Sequence, residues 1–334
     1  MRFPRRTDTA CASICWRLHI HGLTLGIDIG ASSVKAALVD PVSWGIVRRL
    51  NSREIHTRTF SELRAAVEGV VSEAIRHDTD LRRVGISTTG SADADDVVIS
   101  SGFYSGYEQI SWLRALHSST QGQITAVRVL NDGRAAAYGT FLADRRARGG
   151  HLVHFVIGTG IGGGMVSGGA VFNGSHHFAG AYGHIKVDPR GTTPCVCGGT
   201  GCVELFAAAP ALARFAAERG VVLSEPGGRG VRELGELARA GSEAAIDAFR
   251  TGGRWLAVAV GCVANVCDPA FVTVGGGVIA AARDGHGGNW YVDAAATAAR
   301  EMVIPRIAEH LMVIEASLLN DAALIGAAAL AAQR

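Results

Sequence analysis

Three groups of residues have types and spacings that could do chemistry. The first is His184 followed by Cys195, Cys197 and Cys202, in the run Cys195-Val196-Cys197-Gly198-Gly199-Thr200-Gly201-Cys202-Val203-Glu204. One imidazole and three thiols make a donor set that suits tetrahedral zinc, and the intervening glycines let a chain wrap round an ion. Three free thiols in a loop are the alternative. With all four ligands supplied by protein the site would be closed, so it reads as structural.

The second group is Asn131-Asp132-Gly133-Arg134, directly after the apolar run Val127–Leu130. A carboxylate at the C-terminal end of a buried strand is a usual catalytic position in open α/β sheets. Asp132 is equally well placed as an ordinary helix N-cap, and the local sequence leaves both readings open.

The third group is a set of glycine-rich turns. Asp28-Ile29-Gly30-Ala31-Ser32 lies between two apolar stretches. Backbone N–H groups at Gly30 and the hydroxyl of Ser32 could approach phosphate oxygens, and Asp28 could hold a magnesium-bound water. Gly158-Thr159-Gly160-Ile161-Gly162-Gly163-Gly164 formally contains the dinucleotide fingerprint through Gly158, Gly160 and Gly163. That fingerprint must open a helix and be followed by an acid about twenty residues on. Here Met165 to Val171 reads as strand and turn, and no acid follows before Asp188. A phosphate-gripping hairpin is the better reading. Gly275-Gly276-Gly277 follows an apolar strand and offers either a bare surface for a flat ligand such as adenine or a tight turn.

Elements that could position these groups are legible in outline. Leu23–Asp28 and Val34–Asp40 read as a hairpin, Phe60–Arg76 as a helix capped at Thr59 or Ser61, and Val84–Thr88 and Val127–Leu130 as strands. A helix is expected from Asp132 to about Arg145. A second strand-rich block runs from Leu152 to Val171, followed by a loop-rich stretch over 173–201. Beyond it the chain is mainly helical, with strands at Phe271–Val274 and Met312–Glu315 and a last helix from Asp321. The two openings of strand, glycine turn and strand suggest an internal duplication. A single large doubly wound sheet is the alternative.

Hydrophobic residues at 48% and charged residues at 19% describe a globular chain rather than a disordered one, and 334 residues suffice for two cores. The formal net charge of +2 gives no footprint for nucleic acid or an anionic membrane. No apolar run is long enough to span a bilayer. Residues 1–22 lack the apolar stretch of a signal peptide and read as an extension before the first strand, so cytoplasm is the expected compartment.

The order of these motifs resembles the ROK family of sugar kinases and related repressors, within the actin-like ATPase superfamily. The resemblance rests on Gly26-Ile27-Asp28-Ile29-Gly30, Asn131-Asp132, the run from Gly158 to Gly164, Gly183-His184, the cysteine run ending in Glu204, Gly275-Gly276-Gly277-Val278 and the tail from Asp321 to Ala328. It implies a two-domain actin-like (ribonuclease H-like) α/β fold with an interdomain cleft and a structural zinc loop at 184–202. One domain would span 23–130, completed by a helix at 318–334, and the other 131–317. It also implies ATP-dependent phosphorylation of a hydroxyl, in expectation the primary one, on a hexose, amino sugar or cyclitol. Asp132 would be the general base, and Asn131, Arg134, His184 and Glu204 would bind substrate. Asp28, Gly30, Ser32, Gly158, Thr159, Gly160, Gly276 and Gly277 would surround Mg-ATP. A homodimer is the expected assembly.

Three departures from the family pattern stand out. Ala181 occupies a position where a glutamate is usual, Arg134 one where asparagine is usual, and Thr88-Thr89-Gly90-Ser91 replaces a Pro-Gly pair. Losing a charged hydrogen bond to a hydroxyl costs about 1.5–3 kcal/mol, so the changes point away from plain glucose; an ordinary glucokinase is the alternative. A family-type repressor would need a helix-turn-helix of several tens of residues before the first strand, where only residues 1–22 stand. A catalytically dead sugar sensor fits poorly with the retained Asn131-Asp132 and both phosphate turns.

Overall fold

The computed structural model describes residues 22–144 and 150–333. The N-terminal extension up to residue 21, with Cys11 and Cys15, and the expected helix end at Arg145 lie outside the described residues.

Strand β1 (Thr24–Ile29) is buried at almost every position, as a strand covered on both faces must be. The turn at Gly30 returns the chain antiparallel as β2 (Ser33–Val39), which sets Asp28 opposite Lys35. Short strands β3 (Ile46–Arg49) and β4 (Arg53–Glu54) extend the outer side of β2. Helix α1 (Phe60–His77) is capped by Thr59, whose hydroxyl accepts from the Glu62 N–H. It buries Leu63, Val67, Val70, Val71 and Ala74, the spacing of one helical face. Strand β5 (Arg83–Thr88) runs parallel to β1. A small ribbon, β6 (Ser91–Ala92) and β7 (Val98–Ser100), helix α2 (Trp112–Ser119) and strand β8 (Ala126–Asn131) follow, with β8 parallel to β5. The sheet order is β3-β2-β1-β5-β8, with β4 alongside β2.

Helix α3 (Asp132–Ala143) leads to a second sheet. Strands β9 (Leu152–Ile157), β10 (Ile161–Ser167) and β11 (Ala170–Val171) form its antiparallel half. After the cysteine loop come helices α4 (Glu204–Ala207), α5 (Ala209–Glu218), α6 (Gly228–Arg239) and α7 (Glu243–Cys267). Strand β12 (Phe271–Gly275), helices α8 (Gly277–Ala281), α9 (Trp290–Glu301) and α10 (Pro305–Ala308), and strand β13 (Val313–Glu315) complete it before the final helix α11 (Ala322–Ala332). The order β11-β10-β9-β12-β13 repeats the first sheet's plan, a hairpin followed by two parallel strands.

The two halves exchange helices. Helix α3 follows β8 of the first sheet but packs on β9 and β10 of the second, whereas α11 follows β13 of the second and packs on β1 and β5 of the first. The two helices also pack on each other, which small residues make possible: a Cβ at Gly326 would lie 1.9 Å from the Ala135 carbonyl oxygen. Each sheet keeps its own large apolar core, and smaller clusters under α3 and α11 join them. Among the described residues no helix is long and apolar enough to cross a membrane.

Two local expectations are corrected. The cap of α3 is Asn131, not Asp132: its Oδ1 accepts from the N–H groups of Gly133 and Arg134 at 3.1 and 3.3 Å. Likewise the last helix starts at Ala322, after a 3₁₀ turn over Leu319–Asp321. The Asp321 carboxylate does not cap it but takes both arms of the Arg49 guanidinium, at 2.8 and 2.6 Å.

Candidate active site

Because Asn131 does the capping, the Asp132 carboxylate is free of that duty and stands at the mouth of the first sheet. Its Oδ1 accepts from the Gly133 N–H at 2.7 Å and from Asn131 Nδ2 at 3.0 Å. Burial pushes its pKa up to about 6, the Gly133 N–H opposes this, and the Asp28 carboxyl adds to it. Asp28, near the end of β1, is itself raised by burial, against a hydrogen bond from Ser87 Oγ at 2.9 Å. Strands β1 and β8 flank β5, so the C-terminal ends of three parallel strands bring two carboxyls into each other's field.

The start of α3 lies directly on the second glycine hairpin. A Cβ at Gly133 would sit 2.5 Å from the Gly163 nitrogen, and one at Gly164 would sit 2.8 Å from the Arg134 Cα. Glycine is required on both sides of that contact.

Two cavities open on either side of the β9–β10 hairpin. The smaller, about 180 Å³, is lined by Asn131, Asp132 and Arg134, by Gly90 and Ser91, by Gly162, and by the segment from Phe178 to Ala181. The larger, about 430 Å³, is lined by the hairpin tip at Gly158 and Thr159, by Gly277 and Val278, and by the face of α6 bearing Val231, Arg232, Glu236 and Arg239. Gly276 makes the turn into α8 with a φ of 101°, and a Cβ there would lie 2.4 Å from the Ile157 carbonyl oxygen, so only glycine fits. A third cavity, about 420 Å³ and lined by Arg250, Arg254 and Trp290 among others, contains none of these residues.

His184, Cys195, Cys197 and Cys202 converge, their ligand atoms all within 4.8 Å of one another. His184 Nδ1 lies 3.6 Å from Cys195 Sγ, and Cys197 Sγ lies 3.6 Å from Cys202 Sγ. A zinc–sulfur bond of about 2.3 Å gives a tetrahedron with edges of about 3.8 Å, so the four donors fit that ion. Lys186 Nζ donates to Cys202 Sγ at 3.1 Å and to the Thr200 carbonyl oxygen at 2.5 Å, placing a cation beside the thiols.

Of the other expected site residues, Arg134 does not point to solvent. It is 1% exposed, and burial lowers its pKa to about 10. Asn131 lines the small cavity, but its amide is engaged by the cap and by donation to the Gly90 carbonyl oxygen at 2.9 Å. Ser32 is exposed at the first turn, where the Gly30 carbonyl accepts from the Tyr104 hydroxyl at 2.6 Å. His184 and Glu204 lie off the wall of the small cavity. Glu204 Oε2 accepts from the Ile161 N–H at 2.8 Å, and a Cβ at Gly160 would sit 2.5 Å from it, so this carboxylate ties the cysteine loop to the hairpin. Ser91, Asn173 and the α6 residues were not legible as site residues. Alternating Arg and Glu on a surface helix carries no signal distinct from solvation.

The profile of the ROK family matches residues 24–334 of the chain. A glucokinase of Streptomyces coelicolor is 29% identical over 338 aligned positions, covering 93% of this chain and 98% of that protein. An N-acetylmannosamine kinase of Escherichia coli is 32% identical, covering 92% of this chain and 98% of its own length. The crystal structure of a ROK glucokinase from Streptomyces griseus with glucose and AMPPNP superposes with a TM-score of 0.75 at 28% identity, over 94% of this chain and all of that one. Duplicated sheets with exchanged helices, paired carboxyls at the strand ends, two glycine turns and a Cys₃His cluster thus occur together with a match along the described length, and the chain belongs to the ROK family.

Proposed function

We propose that the protein is an ATP-dependent kinase that phosphorylates a hydroxyl of a sugar or sugar-like cyclitol. The observation that carries this reading is the placement of two cavities on either side of one glycine hairpin, with a half-buried carboxylate at the smaller. The larger cavity has the bare glycine floor and helix face that suit a nucleotide base, and the smaller has room for a compact polyol. The sugar kinases among the relatives and the glucose–AMPPNP complex support the same reading.

In this reading Asp132 accepts the proton of the attacking hydroxyl as its oxygen bonds to the γ-phosphorus and the bond from that phosphorus to the β–γ bridging oxygen breaks. A pKa near 6 keeps Asp132 ionised at neutral pH while leaving it basic enough to take that proton. The N–H groups of Gly30 and Gly158 are taken within their own turns, by the Ser33 and Gly160 carbonyl oxygens at 2.9 Å each, so in this reading the Ser32 and Thr159 hydroxyls and the other N–H groups of the two turns would meet the phosphate oxygens. Asp28 would orient magnesium-bound water, and magnesium would supply charge neutralisation on the phosphates. Glu204 holds the hairpin through Ile161; neither it nor His184 lines the small cavity, so in this reading both act on the sugar site through the hairpin and the loop that they fix. Zinc, held by His184, Cys195, Cys197 and Cys202, would fix the loop that carries Glu204. Two lobes meeting at residue 131, with 318–334 completing the first, follow as the domain division.

Incubating the purified chain with Mg-ATP and a panel of hexoses, amino sugars and cyclitols, while following ADP release, tests the proposal. Sugar-dependent ADP release that vanishes in Asp132→Asn is expected. Sugar binding without any ADP release would instead favour a sensor.

A further inference from the structure

Arg134 carries a charge that the Asp132 carboxylate answers only through its field, without a contact pair. The guanidinium is buried, and its hydrogen bonds go to two neutral acceptors, Asn173 Oδ1 at 3.0 Å and Ser91 Oγ at 2.6 Å. Its Nε–H has no acceptor, so much of the planar fork of donors is unused. Among the described residues no carboxylate comes within salt-bridge distance of it. The carboxylate of Asp132 shares the cavity and acts on Arg134 through its field but makes no hydrogen bond to it; its Oδ1 accepts from Gly133 and Asn131. Across the cavity, position 181 is an exposed alanine and offers no acid. Buried charges persist when they are paired, and here, among the described residues, Asp132 answers the charge through its field alone and no acid makes a hydrogen-bonded pair with the guanidinium. Asn173 and Ser91 are uncharged, so they fix the guanidinium plane rather than neutralise it.

We propose that the acceptor substrate is an acidic sugar, whose carboxylate is the counter-ion of Arg134 while a hydroxyl faces Asp132. The proposal rests on the kinase reading and names the substrate class of that same cavity. A carboxylate pairs with a guanidinium through two parallel hydrogen bonds, which neither a hydroxyl nor an acyl amide can do.

The test is calorimetric binding to the full chain of three matched pairs: glucuronate against glucose, gluconate against glucitol, and N-acetylmuramate against N-acetylglucosamine. At least one acid should bind about tenfold or more tighter than its neutral partner. In Arg134→Met that preference should disappear. Should that variant fail to fold, Ala181→Glu, at an exposed position, sets a fixed carboxylate opposite Arg134 and should reduce the same preference about tenfold. The proposal is overturned if every neutral sugar binds as tightly as its acid, or if the folded variants keep the wild-type ratio. Phosphorylation of the same sugars is followed in parallel. Turnover of neutral sugars with no preference for acids would refute this inference and leave the kinase reading intact. Absence of turnover with every sugar would refute the kinase reading, while the binding ratios still decide the role of Arg134.

Discussion

Replacing Asp132 by asparagine separates the cost of this carboxylate to the fold from its use in the reaction. Asp132 is half-buried at the cavity wall, and desolvation of its carboxyl moves the pKa from an ordinary 3.8 up to about 6. At about 1.36 kcal/mol per pH unit, the ionised group costs the folded state about 3 kcal/mol. The sign follows from proton counting. Between pH 4 and 6 the folded state holds a proton that the unfolded state has released, so stability falls as pH rises through this window and the deficit is complete above it. Asparagine can accept the same hydrogen bonds from Gly133 and Asn131 without the charge. Asp132→Asn should therefore match wild type in stability near pH 4 and exceed it by about 1–3 kcal/mol at pH 7.5, read as chemical denaturation of the unliganded protein. Turnover should fall by about 10²–10⁴, the usual worth of a general base. Wild-type kcat/KM should rise with pH through about 6 as the base ionises. A stability difference that does not change with pH would refute the burial argument, and near-normal turnover in a folded variant would refute the base.

Other consequences are equally direct. The purified protein should carry about one zinc ion, and Cys197→Ser should lose metal and activity together, because closed four-ligand sites fold with their ion; active protein without zinc on elemental analysis contradicts this. Glu204→Ala should lower kcat/KM by about 10- to 100-fold, the worth of a charged hydrogen bond to the Ile161 N–H, while Glu204→Gln should do less; equal losses would point away from that bond. Gly85→Ala would place a Cβ 1.8 Å from the Ala327 carbonyl oxygen of α11. It should destabilise by about 3 kcal/mol, and a variant of wild-type stability in urea unfolding would show that α11 does not lie so close.

The chemistry-bearing motifs were legible because each is short and local. The apolar strand ending in Asn131-Asp132, the two glycine hairpins and the cysteine run all read correctly as local structure, and even the symmetric plan of the sheets was foreshadowed by the repeated hairpin. What the sequence hid depends on contacts made far along the chain. Nothing local distinguishes Asn131 from Asp132 as the cap, since both types serve; the choice follows from Asn131 Nδ2 reaching Gly90, a residue of the preceding segment. Asp321 reads as the start of the last helix, but it closes a 3₁₀ turn before it and its carboxylate pairs with the distant Arg49. The burial of Arg134 follows from Asn173 and Ser91, neither of which carries a recognisable motif. The exchange of α3 and α11 between sheets is written in Gly85, Gly139 and Gly326, but isolated glycines do not say which carbonyl they admit.

Phosphorus NMR of the purified protein with Mg-ATP and a sugar that it binds tests phosphoryl transfer at Asp132 most directly. Wild type should convert the γ-phosphate signal into a phosphomonoester resonance in one-to-one proportion with ADP, and Asp132→Asn should leave ATP intact while still binding the sugar. Release of inorganic phosphate alone, or an undiminished phosphomonoester signal from Asp132→Asn, would contradict it.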